Sequence, residues 1–226
     1  MTRDEAYNLM TQMLKNKNLQ KHGLAVEAIM RALCGYLRDR HPERSEGSLT
    51  NVSSNEQSSR LRAKLGDSSL IAQNDNEEEF NEEEWAIVGL LHDADYELVE
   101  KDPKRHTLVT EEKLREVGGV SDRIINGIKA HHDGIKDSRD NLLEKSVYAA
   151  DELSGLITAV ALVRPDKKLA SVTIESVMKK FPQKSFAAGA NRGQILACEK
   201  ELNIPVEEFV SIALKAMQGI SDELGL

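Results

Sequence analysis

Apolar residues recur at intervals of three and four along most of this chain, and that period is the feature that most constrains its fold. The clearest instance is the stripe Leu19, His22, Val26, Ile29, Leu33 and Leu37, on a helix expected over 19–40 with Asn18 as its N-cap. Only 4% of residues are aromatic, while Leu, Ala, Glu, Lys and Met are plentiful, which favours helix over strand. An all-α fold follows as the expectation. Apolar runs never reach the 18 residues that suggest a membrane span, and Met1 to Ala6 lack the apolar region of a secretory signal. A soluble, cytoplasmic protein without membrane association is expected.

The helical period lapses once. From His41 to Asn81 apolar residues are sparse and eight serines, from Ser45 to Ser69, lie among Asn, Gln and charged residues. Such a composition buries too little apolar surface to offset the entropy of ordering it, so 41–81 reads as a disordered, low-complexity insertion. The chain thus divides into a single helical domain over 1–226, this insertion, and C-terminal helices over 164–226 that complete the domain. Further helices are expected from Glu82 through His92, over 104–117 after the Asp102-Pro103 turn, from an N-cap at Ser121 to His131, and from Asn141 to about Val163. Two more are expected near 171–181 and 189–201, and a last one begins with Pro205 in its first turn.

Net charge is −8, but Glu77, Glu78, Glu79, Glu82, Glu83 and Glu84 supply six negatives within eight residues, and without them the balance is −2. No overall basic character marks a nucleic-acid-binding protein. Cys34 and Cys198 are too few and too far apart for a disulfide framework or a thiolate zinc site.

Chemistry enters where polar residues interrupt apolar stripes. His22 lies in phase with the apolar face of its helix, His92-Asp93 follows the run Trp85-Ala-Ile-Val-Gly-Leu-Leu, and Asp151 sits on a stripe with Val147, Tyr148, Gly155, Thr158 and Leu162. A carboxylate among apolar neighbours is costly unless it is paired or bound to a cation. A metal ion would supply that partner.

The order His22, then His92-Asp93 at the end of an apolar helix, then Asp151 in Tyr148-Ala-Ala-Asp151-Glu-Leu resembles the HD superfamily of metal-dependent phosphohydrolases. The resemblance spans about 19–163 once the insertion is skipped. It implies a helical HD-type bundle in which His22, His92, Asp93 and Asp151 bind one divalent metal. His106 and His131 fall where dinuclear members place ligands for a second ion, which Asp93 would bridge. Those members usually continue His-Asp-Ile-Gly, whereas this chain has His92-Asp93-Ala94-Asp95-Tyr96. One ion is expected, with a second at His106 and His131 as the extension. Mn, Fe, Zn, Co and Ni suit such a ligand set, and the sequence does not choose among them.

The implied activity is hydrolysis of a small phosphorylated substrate, a nucleotide or related phosphoester, by metal-activated water. Asp93, Asp95 and His132 are the candidate catalytic residues, with Asp95, Glu97 and His132 assigned to orientation or proton transfer. Over 164–192 seven basic residues face two acidic ones, and Lys184 and Arg192, flanking the small-residue segment 185–191, are the candidate substrate-binding residues. Two alternatives stand beside this reading: an HD-type di-iron oxygenase, and a non-catalytic nucleotide-sensing module.

Overall fold

The structure is a computed structural model that describes residues 1–40, 79–100 and 102–226. Helices run over α1 (Arg3–Met13), α2 (Lys17–Arg40), α3 (Glu82–Leu91), α4 (Leu108–Val117), α5 (Asp122–Ala130) and α6 (Leu142–Leu162). After a short 3-10 turn at Leu169–Ser171 come α7 (Ile174–Lys180), α8 (Arg192–Ile195), α9 (Ala197–Glu201), α10 (Val206–Gly219) and α11 (Ser221–Leu224). The described residues contain no strand, so the fold is all-α.

Helix α3 is the centre of the assembly. Every residue from Trp85 to Leu91 is buried, so this helix is apolar all round and packs against α1, α2, α5 and α6. Its start is set by Asn81, whose side chain accepts from the Glu83 and Glu84 N–H groups, and Glu82 to Glu84 fill the first turn against the positive end of the helix dipole. Its crossing with α2 is made at glycines. A Cβ on Gly89 would lie 2.8 Å from the Val26 carbonyl oxygen, and one on Gly23 would lie 2.9 Å from the Leu90 carbonyl oxygen. This backbone contact sets His22, beside Gly23, against His92 at the end of α3.

Helix α6, capped by the Asn141 side chain on the Glu144 N–H, lines the other side with Val147, Ala150, Leu153 and Ile157 buried. The chain beyond Arg164 packs back on this frame, with α10 against α2 and α6. Buried Phe209, Val210 and Met217 therefore join the same apolar core as Met10, Trp85 and Leu153.

Several expected boundaries are corrected. Residues 41–78 of the expected insertion lie outside the described residues, but 79–81 are packed: Phe80 is buried and stacks on Trp85, whose Nε1–H donates to the Glu79 carbonyl at 2.8 Å. Helix α2 starts at Lys17, and the capping oxygen belongs to Asn16, which accepts from the Asn18 N–H at 2.9 Å. Helix α4 begins at Leu108 rather than 104, because Thr107 adopts a left-handed conformation with φ 70° that a helix interior does not allow. The helix expected over 189–201 is two short ones meeting at Leu196, and Pro205 occupies the N-cap position just before α10.

Candidate metal centre

Four imidazoles and two carboxylates converge where the ends of α3 and α5 meet the middle of α6 and the start of α2. His92 and Asp93 follow the last turn of α3, His131 follows α5, Asp151 and Ser154 come from α6, His22 from α2, and His106 from the turn before α4. In the first group the His22 Nε2 lies 3.1 Å from the His92 Nε2 and 2.9 Å from the Asp151 Oδ1, and His92 to Asp151 is 3.4 Å. In the second the His106 Nε2 lies 3.0 Å from the His131 Nε2 and 3.1 Å from the Asp93 Oδ1, and His131 to Asp93 is 3.5 Å. Ligands held at about 2.1 Å from one ion stand roughly 3.0 to 3.4 Å apart in octahedral or tetrahedral arrangements, the separations seen in both groups.

Asp93 belongs to both. Its Oδ1 faces His106 and His131, while its Oδ2 lies 3.6 Å from the His22 Nε2 and 3.7 Å from the His92 Nε2. One carboxylate thus offers an oxygen to each group.

The far nitrogen of each imidazole decides what the near one can do. The Nδ1 of His92 lies 2.8 Å from the Gly89 carbonyl and that of His131 2.6 Å from the Ile128 carbonyl; a carbonyl only accepts, so both Nδ1 atoms carry hydrogen. Ser154 donates its hydroxyl to the Asp151 carbonyl at 2.8 Å, which leaves its oxygen to accept from the His22 Nδ1 at 3.0 Å. The His106 Nδ1 donates to the Asp95 Oδ1 at 2.8 Å. In the neutral form, therefore, all four Nε2 atoms present lone pairs to the centre. Lone pairs 3.0 to 3.1 Å apart repel unless a cation lies between them, so the donor set fits a metal ion.

Protons are the only alternative cation the residues themselves provide. Burial pushes His92 down, but Asp93 and Asp151 outweigh it and hold the imidazole at about 9. His106 is likewise opposed by burial and held at about 9 by Asp93 and Asp95. The same pairings hold Asp93 and Asp151 well below the usual carboxylate range despite burial. Metal loading at pH 7 should therefore release about two protons per chain. Calorimetry in buffers of differing ionisation enthalpy reads that number, and affinity should climb with pH until about 9. A released-proton count near zero at pH 7 would contradict the pairing.

Asp95 is fully buried, with its oxygens taken by His106 and by the Thr107 and Thr110 N–H groups at 3.0 Å each. The expectation of a catalytic Asp95 is corrected to a positioning one: it holds His106 and the left-handed Thr107 in place. Glu97 is also elsewhere, accepting from the Lys15 and Asn16 N–H groups between α1 and α2.

Above the two groups opens a cavity of about 720 Å³. His132 lines it, its ring 5.1 Å from that of His106, and burial together with His106 and His131 pushes its pKa below the ordinary value. Lys184 is exposed and outside the lining. Arg192 is outside it too, because its guanidinium donates to the carbonyls of Phe181, Phe186, Ala187 and Ala190 at 2.6 to 3.1 Å. The expected pair of substrate-binding cations is not formed, whereas Ala187, Gly189 and Ala190 between them do form one wall. Tyr96, Glu152 and Gln194 are cavity residues that sequence reading missed. Glu152, next to Asp151, and Tyr96, next to Asp95, had a positional signal, and Gln194 had none.

A family model described as HD domain matches residues 20–156. The chain belongs to the HD domain family. Its members are mostly metal-dependent hydrolases that bind divalent metals, and the matched span of this HD domain contains all six residues of the two groups. No match is found among the curated proteins or among the solved structures. Among the described residues no helix is long and apolar enough to cross a membrane.

Proposed function

We propose that this HD domain hydrolyses a small phosphorylated substrate with the help of two divalent transition-metal ions. The observation that carries the reading is Asp93, which divides its two oxygens between the two groups at the floor of the cavity. His22, His92 and Asp151 would hold one ion with Asp93, and His106 and His131 the other. When bound, such ions lower the pKa of water and polarise a phosphoryl oxygen. Gly89, Ile128, Ser154 and Asp95 keep the four imidazoles in the tautomer that binding needs. His132, at the wall of the cavity and biased toward its neutral form, would exchange a proton with the leaving group on this reading.

Metal analysis after loading with Mn, Co, Ni, Zn or Fe, followed by assay of phosphomonoesters, phosphodiesters and nucleoside triphosphates, tests this. Two metals per chain with turnover of an ester supports the reading. Ester binding without turnover by any loaded form favours a sensing module instead, and dioxygen consumption by the iron form alone favours the oxygenase, which the same six residues would serve.

A further inference from the structure

The charge on the cavity wall bears on what the substrate carries besides its phosphoryl group. Among the described residues lining the cavity there is no Lys or Arg, while Asp133 and Glu152 add two carboxylates to those of Asp93 and Asp151. Asp133 is already matched: one oxygen pairs with Arg139 and the other accepts from the Tyr148 hydroxyl at 2.9 Å. Glu152 is different. Its Oε2 accepts from the Asn191 N–H at 2.9 Å, its Oε1 takes no hydrogen bond from the described residues, and none of their cations lies within ion-pair distance of it. Arg192, which follows Asn191, is spent on four carbonyls. Apart from the neutral polar Gln194 and the imidazoles, the remaining described wall is apolar or small, from Leu19, Tyr96, Pro103, Gly155, Ala187 and Ala190.

A phosphoryl group drawn to the two ions would place the rest of the molecule in this cavity, beside a half-buried carboxylate that has no cationic partner among the described residues. Like charge there is repelled and opposite charge is attracted, more strongly than in open water. We infer that the site selects a phosphomonoester whose other end carries an ammonium group, and that Glu152 is the residue that selects it. This rests on the phosphohydrolase reading and narrows it away from polyphosphates, whose extra negative charge meets no lysine or arginine on the described wall.

The test uses three esters of similar size that differ in the charge of the tail: O-phosphoethanolamine, ethyl phosphate and phosphoglycolate, with inorganic phosphate as reference. Binding to the Mn-loaded full chain is measured by calorimetry and turnover by phosphate release. The expected order is ammonium over neutral over carboxylate, each step about tenfold in affinity. In Glu152→Gln, which keeps an acceptor for the Asn191 N–H, the ammonium-to-neutral ratio should fall to within about threefold. A carboxylate ester bound as well as the ammonium ester by the wild type overturns the inference without any variant, and so does an unchanged ratio in Glu152→Gln. If neither inorganic phosphate nor any ester binds the loaded protein, the phosphohydrolase reading itself falls, and this inference with it.

Discussion

Replacing Asp93 with alanine should empty both metal groups at once and lower ester hydrolysis by a factor on the order of a thousand or more. The expectation follows from the way its two oxygens are divided: Oδ1 stands with His106 and His131, and Oδ2 with His22 and His92. Removing it withdraws a negative ligand from each group and leaves the imidazoles on both sides without their shared partner. His131→Ala makes the contrast, since it touches one group only and should leave close to one metal per chain. Metal content by mass spectrometry of the intact loaded protein reads the two outcomes. An Asp93→Ala protein that still carried two ions would show that the carboxylate bridges nothing.

Arg192→Ala should lower stability by roughly 2 to 4 kcal/mol, because a partly buried guanidinium that donates to four carbonyls contributes several charge-assisted hydrogen bonds together. Two of those carbonyls, on Ala187 and Ala190, belong to the segment that forms one wall of the cavity, and the other two, on Phe181 and Phe186, lie just before it. Urea unfolding measures the loss. A substrate-binding arginine would behave in the opposite way, with stability kept and KM raised, and that result would restore the role expected for Arg192 from its place in the basic stretch. Lysine should rescue little, since a single ammonium cannot reach four carbonyls in the geometry of a planar fork.

Much of the frame was legible because its signals are local. Ser121 and Asn141 were read as caps and act as caps, each side chain accepting from the backbone N–H three residues on. Of the six residues that now form the two groups, His22 and Asp151 stood out by interrupting apolar stripes and His92-Asp93 by following an apolar run, whereas His106 and His131 came only from the resemblance to dinuclear HD proteins. What escaped is what depends on contacts distant in sequence or on bare backbone. The late start of α4 is imposed by Asp95, which takes the Thr107 and Thr110 N–H groups from a turn more than ten residues upstream. The partners of Arg192 are carbonyls, which carry no residue-type signature, so its charge invited a substrate role. Glu152 was overlooked because an acid beside a ligand on a helix reads as solvated, and only the packing of 187–191 against α6 turns it into cavity wall. At 79–81 the low-complexity pattern continued by composition past the point where Phe80 already stacks on Trp85.

Helices α3 and α5 both end at the centre, with His92 and His131 as the residues after their last turns. The carboxyl end of a helix carries a partial negative charge equivalent to roughly half an elementary unit, so two such ends add about one further negative charge to the carboxylates. That field favours a cation at the centre, and below about pH 9 the protons held on His92 and His106 meet part of it until a metal displaces them. On the proposed phosphohydrolase reading, occupancy would be ordered in time: ion first, phosphoryl group second. A loaded chain and a stripped chain should differ most in how fast an anionic ester enters.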